Sequence, residues 1–212
     1  MDYIIRRVLM PVAKRPEKYE APGWDYIHEL CINLAEQIKR IKYKPDFIVA
    51  ISRGGWIPGR LLSDLLGNPD LATIKVEHYV DFYKTREKPE ITQPLPIDVR
   101  GKKLLLVDDL ADSGSSLKLV MEYLRKQGAK DVKICALYWK PWSVVVPDLY
   151  ARETDAWICF PHETYETIGK VYARMKKQGK SGKEIEKKLL EIGIRPLHIT
   201  KFLSQVAGGK KD

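Results

Sequence analysis

Residues 104 to 116 read Leu-Leu-Leu-Val-Asp-Asp-Leu-Ala-Asp-Ser-Gly-Ser-Ser, and this run restricts the fold more than any other. Leu104 to Val107 are continuously apolar over a length too short for a helix, which predicts a buried strand. Asp108 and Asp109 are expected to end it. The loop Asp112-Ser113-Gly114-Ser115-Ser116 then opens a helix over Ser115 to Gln127. Leu117, Val120, Met121 and Leu124 fall on one face of that helix, and Gly128 stops it.

The same alternation recurs along the chain. Trp24, Ile27, Leu30, Leu34, Ile38 and Ile41 recur at helical spacing, so 24–41 reads as an amphipathic helix ended by Pro45-Asp46. Phe47 to Ile51 is a short apolar strand, followed by the tight loop Ser52-Arg53-Gly54-Gly55 and a helix over 57–66. Ala72 to Val80 alternates like a strand. Residues 81–96 are charged and carry Pro89, Pro94 and Pro96, which predicts a long exposed loop. Val132 to Tyr138 and Ala156 to Phe160 are further strands. Strands alternating with helices imply an α/β fold, with a mainly parallel twisted sheet covered on both faces. Ligands then bind at the carboxyl ends of the strands. The loops after residues 51, 107, 138 and 160 are expected to gather there.

The chemistry of these loops is specific. Carboxylates beside a strand end suit sugar hydroxyls or a hydrated metal. A Gly/Ser loop at a helix start suits phosphate, because unpaired N–H groups and the helix dipole point at it. A ligand with a diol at one end and a phosphate about one sugar away satisfies both, which describes a ribose 5-phosphate. A plain strand-loop-helix turn would account for Asp112 or Ser113 as a helix cap, but not for the Asp-Asp pair. In the second loop, Gly54 and Gly55 let the backbone approach a ligand closely, and Arg53 suits an anion.

Residues 104–116 resemble the phosphoribosyl pyrophosphate (PRPP) motif of type I phosphoribosyltransferases: an apolar strand, two acidic residues, then Asp-Thr/Ser-Gly and small hydroxyl residues. Ser113, Ser115 and Ser116 depart slightly from the commoner Thr-Gly-x-Thr pattern but keep the hydroxyls. The resemblance covers roughly residues 24 to 163. It implies that Asp108 and Asp109 meet the ribose hydroxyls directly or through Mg²⁺, and that Ser113, Gly114, Ser115 and Ser116 hold the 5-phosphate. Ser52, Arg53, Gly54 and Gly55 resemble the pyrophosphate loop, where a cis peptide commonly turns N–H groups to the ligand. The 81–96 loop is the implied lid. Of its Lys84, Arg86 and Lys88, Lys84 is the candidate for pyrophosphate.

Trp139-Lys140-Pro141 after one strand, and Asp155-Ala156-Trp157-Ile158 later, resemble the 6-oxopurine branch, the xanthine-guanine and hypoxanthine-guanine enzymes. That implies Lys140 at the purine 6-oxo oxygen, Trp157 stacked on the ring, and backbone at Ile158 near the 2-position. His162 stands where that branch is expected to carry an aromatic or polar residue. The implied reaction joins base and PRPP to give nucleoside monophosphate and pyrophosphate, with Asp112 accepting or orienting the purine N7 proton. The fold it implies has a small hood over the base, built from the chain ends. A homodimer or higher homo-oligomer is implied as well.

Composition narrows the rest. The expected division is a phosphoribosyltransferase domain over 1–164 and a basic helical extension over 165–212. From Tyr165 to Asp212 there are twelve Lys/Arg and five Asp/Glu, a net of +7 out of +9, so only +2 belongs to the other residues. Charge runs are usually solvated faces, so the extension is expected to pack as helices, and nucleic acid is set aside as a partner. The alternative is a PRPP-sensing regulator that binds nucleic acid through this extension. Ser181-Gly182-Lys183-Glu184 matches a capping box, and a last helix is expected over about 196–206. Cys31, Cys135 and Cys159 are widely spaced, with no zinc-ligand pattern. No apolar run is long enough to span a bilayer, and the first residues lack a signal-peptide order, so a cytoplasmic location is expected. A charged fraction of 31% with little Asn or Gln leans towards a heat-adapted source.

Overall fold

The apolar runs assemble into two sheets in a computed structural model that describes residues 18–79 and 88–208. In chain order the elements are β1 (Tyr19–Glu20), α1 (Trp24–Arg40), β2 (Phe47–Ser52), α2 (Trp56–Leu65), β3 (Leu71–Tyr79) and β4 (Lys88–Gln93). Then come β5 (Lys103–Ala111), α3 (Ser115–Lys126), β6 (Asp131–Trp139), β7 (Leu149–Glu153) and β8 (Trp157–Ile158). Helices α4 (Thr164–Lys177), α5 (Gly182–Ile192) and α6 (Pro196–Ala207) complete the described chain. It divides into two compact units, one built on residues 27–155 and the other on 18–26 with 156–208.

The first unit holds a six-stranded sheet in the order β4-β3-β2-β5-β6-β7. All neighbours run parallel except β3 and β4, which are antiparallel. Leu104, Leu105, Leu106 and Val107 are all fully buried, as a strand covered on both faces requires. On one face Val49, Leu104, Leu106 and Ile134 pack against Leu117, Val120 and Leu124 of α3. The period-2 pattern of the strands therefore meets the helical stripe read from the sequence.

Four expectations are corrected. Asp108 and Asp109 do not end their strand. Pairing with β2 stops at Val107, but pairing with β6 continues through Ala111, so β5 extends past both carboxylates on one side only. The 81–96 segment is not all loop, because Lys88–Gln93 forms an edge strand that pairs Pro89 with His78. Proline is tolerated at such an edge. Residues 81–87, with Lys84 and Arg86, lie outside the described residues. The strand expected over 156–160 shrinks to Trp157–Ile158, and it pairs with Tyr19–Glu20 in a separate two-stranded sheet. The loop after 160 therefore does not leave the main sheet.

Besides β4, three elements were not foreseen: β1, β7 and α4. Strand β7 is too short and polar to announce itself, whereas Ile168, Val171, Tyr172 and Met175 do give α4 a helical stripe. In the second unit Ile168, Ile185, Leu189, Ile192, Ile194 and Ile199 bury together with Cys159. The extension is thus folded on residues that precede it. Among the described residues no helix is long and apolar enough to cross a membrane.

The predicted capping box is present: Ser181 accepts from the Glu184 N–H and Glu184 accepts from the Ser181 N–H. Ser181→Ala should lower stability by ~1 kcal/mol, the usual cost of a lost N-cap, read from thermal or urea melting. Lys180 first, then the Ser181 N–H and hydroxyl, hold the Glu184 carboxyl down at about 2. Because the folded value is depressed, the stabilisation is complete above the ordinary 4.5 and is lost as pH falls towards about 2. Wild type and Glu184→Gln should therefore differ in melting temperature at pH 7 and converge in acid.

Candidate functional site

Strand β2 delivers its loop onto β5. The Ser52–Arg53 peptide is cis, the feature that the pyrophosphate loop was expected to carry. Ser52 is buried and its hydroxyl donates to the Ile74 carbonyl at 3.4 Å, while Arg53 is exposed. A side chain at Gly54 would collide with the Asp109 carboxylate. One at Gly55 would strike the carbonyls of Val107 and Ile51, at 2.5 and 2.7 Å. The two sequence motifs are therefore in direct contact, and glycine is what permits it.

Asp109 is only 8% exposed, while Asp108 is half-buried and its Oδ1 accepts from the Asp109 N–H at 3.0 Å. Their oxygen donors fit a hard divalent cation such as Mg²⁺.

After β5 the chain turns through Asp112 and Ser113, both exposed, to Gly114 at φ +76°. A side chain there would strike the Ser143 hydroxyl and the Val145 amide as well as suffer the left-handed backbone. Gly114 caps α3 with no side-chain bond, and the first turn of α3 carries no acid. The Ser115 amide donates to the Ser113 hydroxyl at 3.3 Å, and the positive dipole end of the helix suits an anion. The hydroxyls of Ser113 and Ser115 lie 2.8 Å apart, and Ser116 Oγ is 3.0 Å from His78 Nε2. His78 and Ser116 thus join strand β3 to the phosphate-type loop. His78 was not legible in the sequence, since a lone histidine in an alternating strand carries no signal of its own.

The segment after β6 is clipped to the same loop. The Lys140 amide donates to the Ala111 carbonyl at 3.1 Å, and the Val144 amide to the Ser113 carbonyl at 2.9 Å. Lys140 is 3% exposed, which is rare for lysine. Its Nζ lies 5.4 Å from the centre of the Trp142 ring. Trp142 Nε1 in turn donates to Asp112 Oδ1 at 3.0 Å. Trp142 also went unnoticed in the sequence, because it belongs to no motif.

Trp157 and Ile158 belong to the other unit. The Trp157 amide donates to the Lys18 carbonyl at 2.7 Å, and its side chain is 58% exposed, so it is not a core aromatic. The Ile158 side chain is buried, which leaves only backbone to meet a ligand. His162 stacks on Phe160 with ring centres 5.0 Å apart. The cysteines are not part of this chemistry: burial pushes Cys31 and Cys159 up to about 12, and Cys135 higher still.

The model of the phosphoribosyl transferase domain matches residues 23–167. The chain belongs to this family. It is 33% identical over 149 residues to the xanthine-guanine phosphoribosyltransferase of Gluconobacter oxydans, covering 69% of this chain and 85% of that one. It is 30% identical over 128 residues to the hypoxanthine-guanine phosphoribosyltransferase of Saccharomyces cerevisiae, covering 52% and 57%. Among solved structures, a purine phosphoribosyltransferase from Pyrococcus horikoshii superimposes with a TM-score of 0.62 at 41% identity. That match covers 68% of this chain and 92% of the other. The expected fold, family and 6-oxopurine branch of the resemblance are thus supported from outside the motifs themselves.

Proposed function

We propose that the protein transfers ribose 5-phosphate from Mg-PRPP to a 6-oxopurine base in purine salvage, releasing pyrophosphate. The observation that carries this reading is the packing of Gly54 on the Asp109 carboxylate. It sets a loop suited to pyrophosphate beside a carboxylate suited to ribose, which is the spacing of the two halves of PRPP. Guanine is the base shared by the names of the two curated relatives, so it leads the candidates, with hypoxanthine and xanthine.

The roles follow from the positions. The Ser113–Ser116 loop and the start of α3 anchor the 5-phosphate remote from the reacting carbon, so binding energy there positions C1. Asp108 and Asp109 meet the 2- and 3-hydroxyls and would hold Mg²⁺, which when bound neutralises the charge of pyrophosphate. Ser52, Arg53, Gly54 and Gly55 take the pyrophosphate, with Lys84 as the proposed lid contact. The purine N9 forms the new bond to C1 as the bond from C1 to pyrophosphate breaks. Asp112 accepts the proton from N7. Lys140 stabilises negative charge on O6, Trp157 offers the stacking face, and the Ile158 backbone meets the 2-position. The same reading carries a homo-oligomer in the cytoplasm.

Turnover with Mg-PRPP and six bases, namely guanine, hypoxanthine, xanthine, adenine, uracil and orotate, tests the assignment. Use of the three 6-oxopurines alone is expected, with Lys140→Ala losing most of that rate. Rapid use of adenine alone would refute the role of Lys140.

A further inference from the structure

Trp142 touches both groups assigned to the same edge of the purine. Its indole N–H donates to Asp112 Oδ1 at 3.0 Å, across thirty residues of chain. Its ring face lies 5.4 Å from the Lys140 ammonium, within cation–π range. Asp112 makes no second side-chain hydrogen bond among the described residues, so Oδ2 is left to the ligand.

The turn that bears the indole is itself held. The amides of Lys140 and Val144 donate to the carbonyls of Ala111 and Ser113, the two residues that flank Asp112. The Ser143 amide donates to the Lys140 carbonyl at 2.9 Å, and the Ser143 hydroxyl to the Val145 carbonyl at 2.8 Å. Asp112 and Trp142 are thus brought together by backbone bonds on either side rather than by a chance surface rotamer. The O6 and N7 atoms of a 6-oxopurine lie on one edge of the ring. A carboxylate for N7 and an ammonium for O6 must keep a fixed spacing to serve that edge together.

We propose that Trp142 is a positioning residue, fixing Asp112 through its indole N–H and Lys140 through its ring face so that both meet the N7–O6 edge of the base. This rests on the roles proposed for Asp112 and Lys140. An exposed carboxylate without that donor rotates freely and is solvated. A charge-assisted hydrogen bond to one oxygen holds the other in place.

The test is steady-state turnover of guanine with Mg-PRPP by Trp142→Phe and Trp142→Ala, each alone and combined with Asp112→Ala. Phenylalanine keeps a face for Lys140 but removes the donor. Trp142→Phe should lower kcat about tenfold, the loss expected for one hydrogen bond to a charged group, with KM for PRPP within about twofold. Trp142→Ala should lose more and also raise KM for guanine. In the Asp112→Ala background, Trp142→Phe should cost less than about twofold, because the acceptor is already gone.

A full loss that persists in that background would overturn the inference while leaving Asp112 its role. Unchanged kcat in Trp142→Phe, or a parallel collapse of PRPP affinity and turnover, would overturn it too. Asp112→Ala as active as wild type would instead remove the role of Asp112, and this inference with it.

Discussion

Asp112→Asn should slow guanine turnover by about two orders of magnitude or more, the range for lost acid–base help, while PRPP still binds. Asparagine keeps the shape of the side chain, and its carbonyl can still accept from Trp142 Nε1, which now donates at 3.0 Å. What it lacks is an oxygen basic enough to take a proton. Asp112 is exposed and outside the core, so the fold is expected to be unaffected. The contact with Trp142 fixes where the carboxylate lies, and the loop bonds at Ala111 and Ser113 fix the backbone that carries it. Saturation kinetics in both substrates separate the possibilities. A normal rate at saturation with PRPP binding lost would make Asp112 an anchor rather than a proton acceptor.

Gly54→Ala and Gly55→Ala should fail in different ways, although they are neighbours. At Gly54 the new methyl meets the Asp109 carboxylate, the far end of a side chain. The carboxylate can shift, so the fold should survive while KM for PRPP rises about tenfold or more, as when a bound geometry is displaced. At Gly55 the methyl meets backbone, the Val107 and Ile51 carbonyls and the Ile51 amide at 2.5–2.9 Å. Those atoms belong to the buried strands β2 and β5 and have nowhere to go. Gly55→Ala should cost roughly 3 kcal/mol or more of stability, at the upper end for overpacking. Urea unfolding of both variants, with PRPP kinetics of the first, checks the contrast. Equal stability loss in both would place Gly54 in the scaffold rather than the site.

The parallel sheet was legible because its strands are continuous apolar runs and its helices carry clean stripes, as at Leu104–Val107 and Leu117–Leu124. The close approach of the loops after β2 and β5 was legible because Gly54, Gly55 and Gly114 stand where a side chain would collide. The length of β5 was not, since Asp108 and Asp109 look like a strand end. Only the unequal reach of its two neighbours, β2 and β6, shows that pairing continues on one side. Strand β4 hid behind Pro89, and edge pairing with β3 is what accommodates it. The second unit was the least readable part. Trp157–Ile158 pairs with Tyr19–Glu20, far away in sequence, and a two-residue strand has no period to detect. His78 and Trp142 reach the loop only through tertiary contacts, which no local pattern encodes.

Product stoichiometry from labelled guanine and Mg-PRPP separates ribose 5-phosphate transfer from PRPP sensing. One guanosine monophosphate and one pyrophosphate are expected for each PRPP consumed, with little PRPP lost when the base is left out. PRPP bound but never consumed with any of the six bases, together with strongly salt-dependent binding of nucleic acid, would contradict the account and make the protein a regulator.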